Sequence, residues 1–351
     1  MRRVVLAVSC ALVLAQAAAC ASSPAPCPAV ASTPPAPPPV CPPPSVSTVP
    51  TAASAPSAAP APAPAPTAPS QEPPAAFKAA MDSATKAIAT GDYATADRQL
   101  DAAAAAAASA GADQAHLQFH VAHLRAARFA AAHDFERAAA ALVAVVPELA
   151  RHPESSDEFW AHNALMMIRE AQGDPAAALA ENDQAGLAAA RGTWDTPQDR
   201  ETLAYTKDRW HRAYLTRMLA EMRKGSERQA LVDYAKAALE DYRTRAHAIG
   251  GYDDSIAILD AYFAALAGDG AAALRAAKLV DPTKDDDVED LYLVVIGLRA
   301  GGDRAGAEAV ERIMRAAPAT YIARSIMVSW LDHDARWPAD RTFTPRHPAS
   351  P

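Results

Sequence analysis

The chain has 351 residues and a formal net charge of -8, enough length for one large repeat array or two ordinary domains. No run of Lys and Arg stands out in its body, so a phosphate backbone finds no basic footprint and nucleic acid is excluded as a natural partner. Its cysteines, Cys10, Cys20, Cys27 and Cys41, all precede the body, which leaves that part without a thiol nucleophile, a thiolate metal cluster or a core disulfide.

Arg2 and Arg3 followed by the uncharged apolar run Val4 to Ala19 read as a targeting segment. The run is shorter than the ~20 residues of a spanning helix. It ends in Ala17-Ala18-Ala19-Cys20, which resembles the lipobox of bacterial lipoproteins, with Ala17 where that family usually has Leu. The resemblance implies a signal over residues 1–19, cleavage before Cys20 and acylation of that cysteine. It also implies a lipid-anchored protein of the bacterial envelope. Ala21 after the cysteine, where the family's exception is Asp, points to the outer membrane, with the body facing the periplasm or the outside. An ordinary secretory signal cleaved after an Ala would leave Cys20 incidental. Cys27 and Cys41 can pair with each other or with another chain in an oxidising compartment, or stay as free thiols.

Residues 20–74 read as a disordered Pro/Ala-rich linker. Ala21 to Pro74 holds twenty of the thirty prolines and one charged residue, Glu72. Proline lacks an N–H and fixes φ, so neither helix nor sheet runs through such a segment. A semi-rigid polyproline-II spacer with an extended reach of roughly 170 Å is expected. It would hold the body away from the membrane; composition alone also fits low-complexity drift without a selected length.

From Ala75 the prolines thin out and apolar residues recur at spacings of three and four, as in Leu117, Val121 and Leu124, then Leu291, Val294, Val295 and Leu298. No segment alternates with period two, so the expected fold class is all-α. A turn phrase recurs as Gly91-Asp92-Tyr93, His133-Asp134-Phe135, Gly173-Asp174-Pro175, Gly225-Ser226-Glu227, Gly268-Asp269-Gly270 and Gly302-Asp303-Arg304. Gly supplies a left-handed residue that closes one helix. Asp or Ser then caps the next by accepting from its first N–H groups. Five residues beyond each turn position stands a small residue: Ala96, Ala138, Ala178, Ala230, Ala273 and Ala307.

These units resemble tetratricopeptide repeats, whose helix pairs carry Gly-Asp-Tyr at the turn and a small residue five beyond. The first unit, Lys86 to Leu100, matches best, and Asp281-Pro282 resembles the repeat's closing Asp-Pro. The intervals between phrases are 42, 40, 52, 43 and 34 residues rather than a steady 34, His133 stands in place of Gly, and Ser226-Glu227 in place of Asp-Tyr. The resemblance implies an α-α superhelix over residues 75–333 whose pairs stack because none can bury its apolar face alone. A last helix from Pro318 to Asp332 would cap it, and residues 334–351 read as a polar tail. The widest interval, between Gly173 and Gly225, is expected to carry a longer loop and a longer helix.

His116, His120 and His123, four and three apart, share a helical face and form a weak metal candidate against the plainer reading of a polar face. The acids Asp285, Asp286, Asp287, Glu289 and Asp290 lack the central Gly and distal Glu of a calcium loop, and read instead as negative charge at a helix start. Asp332-His333-Asp334 cannot converge as an acid–base trio, since neighbours in sequence diverge on a helix. No phosphate loop or nucleophile–base constellation can be placed, so the chain reads as a binding protein, not an enzyme, with no cofactor.

Trp160, His162, Asn163, Trp194, Tyr205, Arg209, Trp210 and Arg212 make the candidate partner-binding set, because Trp and Arg are enriched in interface hot spots. The tetratricopeptide resemblance implies binding of peptides or partner helices on a concave face lined by the first helix of each pair. The leading expectation is therefore an envelope-anchored scaffold for protein partners of unknown identity. The alternative is a small-molecule or glycan module using the Trp160–Trp210 region as an aromatic platform.

Overall fold

A computed structural model of the chain describes residues 73–152, 155–194, 196, 201, 207–285 and 287–332. Cys20, the expected signal and linker up to residue 72, and the tail from residue 333 lie outside the described residues. Among the described residues the fold is all-α, without a strand. No helix there is long and apolar enough to cross a membrane.

The helices follow one another in hairpins. They are α1 (Ala75–Thr90) with α2 (Tyr93–Ala107), and α3 (Gln114–Ala131) with α4 (Phe135–Val143). After the single turn α5 (Val146–Leu149) come α6 (Asp157–Ala171) with α7 (Pro175–Arg191), and α8 (Lys207–Glu221) with α9 (Gly225–Ile249). The last are α10 (Asp253–Ala267) with α11 (Gly270–Ala277), α12 (Val288–Ala300) with α13 (Arg304–Ala316), and the closing helix α14 (Ile322–Asp332).

Local chemistry sets the turns. All six turn positions adopt positive φ: 76° at Gly91, 55° at His133, 77° at Gly173, 59° at Gly225, 81° at Gly268 and 81° at Gly302. Among the described residues His133 is the one non-glycine to do so, which shows that the turn demands this conformation even where the sequence departs from glycine. In five of the turns the next residue caps the following helix. Asp92, Asp134, Asp174, Asp269 and Asp303 accept from the backbone N–H of Thr95, Arg137, Ala177, Ala272 and Gly306 at 2.9–3.1 Å.

The fourth turn is different. Lys224 occupies the cap position of α9 without a side-chain bond, so the expected cap from Ser226 does not form. Ala96, Ala138, Ala178, Ala273 and Ala307 are all buried where the hairpins meet, but Ala230 is exposed and Ala235 takes its place in the packing. The helix starts over a turn before its first packed alanine, which makes α9 the longest, at 25 residues. The extra length expected in the interval before Gly225 thus falls partly after it.

Each hairpin packs on the next: α2 on α3, α4 on α6, α7 on α8, α9 on α10, α11 on α12 and α13 on α14. First helices also meet, α3 with α6 and α10 with α12. Small residues permit the closest approach: a Cβ on Gly297 of α12 would lie 2.8 Å from that of Ala261 and 3.1 Å from that of Ala277. The final helix begins at Ile322, four residues later than expected from Pro318. Ala317 is extended (ψ 152°), as a residue before proline prefers, and Pro318 to Tyr321 form a turn closed by Tyr321 N–H donating to the Pro318 carbonyl at 2.9 Å. Besides α12 and α13, α14 packs against α3, with four whole hairpins lying between α3's own hairpin and α14 in sequence. The central first helix α6 faces protein on nearly every side, with fourteen of its fifteen residues buried.

Candidate functional site

The histidine face of α3 divides in two. His116 and His120 come together, with Nε2 atoms 3.1 Å apart and rings edge to face. His116 Nδ1 meets Oδ2 of Asp157, the first residue of α6, at 2.8 Å. The Asp157 carboxylate is nearly inaccessible, and its backbone N–H donates to Ser155 Oγ at 3.0 Å. The hydrogen bond to Asp157 raises the His116 pKa above 6.5, while burial and the nearby His116 charge lower that of His120 to about 4. His123 leaves the group: it is buried against Phe119, its ring stacked at 5.8 Å, and burial holds it neutral. The three histidines therefore do not form one ligand set. No group of three His, Cys, Asp or Glu side chains arranged to hold a metal occurs among the described residues.

The candidate partner-binding residues distribute between core and surface. Trp160, His162, Asn163 and Trp210 are buried. Trp160 stands edge to face with Phe159, and Trp210 packs against His211 and Tyr214. His162 Nδ1 bonds Glu181 Oε2 at 2.8 Å and ties α6 to α7. Trp194 is partly buried on Phe159 and donates its indole N–H to the Ala189 carbonyl at 3.0 Å. These side chains serve packing because α6 and α8 are enclosed by neighbouring helices, so an open face lined by them is not present. Tyr205 lies outside the described residues.

Arg209 and Arg212 are the members of the set that reach the surface. Arg209 pairs with Asp241 of α9 at 2.5 Å, and Arg212 with Asp183 of α7 at 2.7 Å and with Asp208 at 3.2 Å. Tyr234 of α9, 54% exposed, lies within electrostatic reach of Arg212. The faces of α7, α8 and α9 thus assemble a patch of two arginines, their carboxylate partners and an exposed tyrosine.

A second polar group sits inside the helix packing. Tyr214 of α8 donates to Glu170 of α6, both fully buried. Tyr262 of α10 packs its ring 5.2 Å from that of Tyr214. His211 Nε2 stands 3.5 Å from Glu289 Oε2 of α12. Glu170 Oε2, Glu289 Oε1, Tyr262 Oη and Thr216 Oγ1 have no hydrogen-bond partner there. Burial, reinforced by Glu289 once that carboxyl ionises, holds the Glu170 pKa well above the usual carboxylate range. Burial and Asp287 push Glu289 up to about 8, and burial lowers His211 to about 3. At neutral pH the His211–Glu289 contact is accordingly one between two uncharged groups rather than an ion pair. A cavity of about 10 Å3, the room of a single water, adjoins Glu289 between Asn163, Lys207, Asp287 and Tyr321.

The acid run before α12 divides likewise. Asp287 caps the helix, accepting from Glu289 N–H at 3.0 Å, and Asp285 accepts from Asp287 N–H at 3.0 Å, as expected of charge at a helix start. Glu289 instead points inward. Its place in a run of five acids hid it; the one available signal was its position on the same helical face as Leu293 and Ile296.

Compared with protein families, curated proteins and solved structures, the chain matches none.

Proposed function

We propose that the protein is a tetratricopeptide-like interaction module, held at a bacterial envelope membrane by a lipid on Cys20 and standing off it on the Pro/Ala-rich segment. The observation that supports the repeat reading is the recurring hairpin: a left-handed residue at six turns, followed at five of them by an aspartate that caps the next helix. Proteins built from such units bind other proteins on the faces that their stacked helices present. In this chain α6 is enclosed, which directs a partner to the surface where Arg209 and Arg212 of α8 emerge beside α7 and α9. There Arg212 and Tyr234 combine a charge held in place by Asp183 and Asp208 with an exposed aromatic ring, the side-chain types that anchor interfaces. The aromatic-platform alternative has less behind it, since Trp160 and Trp210 are both buried.

The test is cross-linking and recovery from native membranes with the wild type and with an Arg212→Ala/Tyr234→Ala variant. The expected result is one protein recovered at constant stoichiometry with the wild type and lost with the variant. Equal recovery with both, or none with either, overturns the proposed surface. Palmitate labelling of wild type and Cys20→Ser tests the anchor separately.

A further inference from the structure

The pair of imidazoles on α3 has an arrangement that packing alone does not require. His116 and His120 are one helical turn apart, at the rim of the protein, with their Nε2 atoms 3.1 Å from each other. Two imidazole nitrogens bound at about 2.0–2.1 Å to a tetrahedral ion stand roughly 3.3 Å apart, so the pair is already at nearly the spacing of a chelate.

A second observation comes from another helix. Asp157 Oδ2 lies 2.8 Å from His116 Nδ1. A carboxylate can only accept, so Nδ1 carries the proton and in the neutral ring Nε2 presents its lone pair toward His120 Nε2. This is the carboxylate–histidine arrangement that orients ligating imidazoles and raises their basicity. Asp157 is fixed for the task at the start of α6, with its carboxylate 7% exposed while the His116 side chain is 53% exposed. The buried member thus orients and the exposed member meets the solvent. His120 Nε2–H donates to His116 Nε2, and moving that proton to Nδ1 makes His120 the second ligand.

We propose that His116 and His120 form a two-nitrogen clamp for a divalent late transition ion of the zinc and copper class, with Asp157 as its positioning residue. Imidazole ligands favour such ions over magnesium or calcium. Among the described residues no third His, Cys, Asp or Glu completes the set. The remaining coordination positions therefore take water or a donor atom from an incoming molecule.

The experiment is calorimetric titration of the mature full-length chain, its cysteines blocked by alkylation, with Zn2+ and with Cu2+. One ion per chain is expected for the wild type. Binding is expected to be lost in His116→Ala and in His120→Ala, and weakened by about 10- to 100-fold in Asp157→Asn. Circular dichroism establishes that each variant is folded. Should one fail to fold, the wild type still decides. Zinc must shift the side-chain nitrogen resonances of two histidines that the Asp157→Asn protein perturbs, and the Cu2+ spectrum must show coupling to two imidazole nitrogens. Binding that persists in both alanine variants, or a wild type that takes up neither ion stoichiometrically, overturns the proposal.

Discussion

Replacing Glu289 by Gln should make the protein more resistant to alkaline pH while leaving its stability at acid pH nearly unchanged. Glu289 is 2% exposed, its carboxyl faces His211 and the start of α12, and burial and Asp287 raise its pKa from the ordinary 4.5 to about 8. A carboxyl whose pKa is raised by folding contributes its full stability below the unfolded pKa, where both states are protonated. As the pH rises past 4.5 the unfolded chain ionises freely but the folded chain does not. Stability then falls by about 1.4 kcal/mol per pH unit until the folded pKa is passed. Over that window the loss attributable to Glu289 is on the order of 5 kcal/mol at most. Gln reproduces the shape and hydrogen-bonding capacity of the protonated acid and cannot ionise. Removing the charge also relieves Glu170, whose pKa Glu289 helps to raise. Urea unfolding at intervals from pH 4 to pH 9 should give curves for the two proteins that run closest at pH 4 and diverge upward for the variant. Parallel curves would refute the burial argument, because they would mean that Glu289 ionises in the folded protein as readily as in the unfolded one.

Tyr214→Phe should destabilise the chain by about 1–3 kcal/mol in the same assay. It removes the one donor to Glu170 among the described residues and leaves a fully buried carboxyl with neither oxygen satisfied. The double variant with Glu170→Met should recover part of that loss, since no orphaned polar atom remains at that pair. In α9, Ala235→Leu should cost about 1–3 kcal/mol by overpacking a closed interface. Ala230→Leu, on exposed backbone, should change stability by less than about 0.5 kcal/mol. The opposite ranking would show that the fourth hairpin keeps the spacing of the others.

What was legible in the sequence is what depends on neighbours in the chain. A left-handed residue followed by an aspartate closes one helix and opens the next through bonds spanning three residues, so Gly91-Asp92, Gly173-Asp174 and Gly302-Asp303 announce their turns without reference to the rest of the molecule. Even His133 followed the rule, because the geometry of the turn imposes the conformation. The all-α class follows from the same local signals.

Side-chain fate did not follow from them, since burial depends on which helices arrive from elsewhere. The contact of α14 with α3 and the enclosure of α6 bring together segments far apart in sequence, and they turn Trp160 and Trp210 from candidate anchors into packing residues. The spacing of His116, His120 and His123 gave them one face, but Asp157 from α6 selects the first two and the core takes the third. Glu170 and Glu289, charged letters in amphipathic helices, come within electrostatic reach of each other only in the folded array, where Tyr214 and His211 of α8 face one each. A buried carboxyl reads in sequence like any exposed one; only the tertiary structure removes its water.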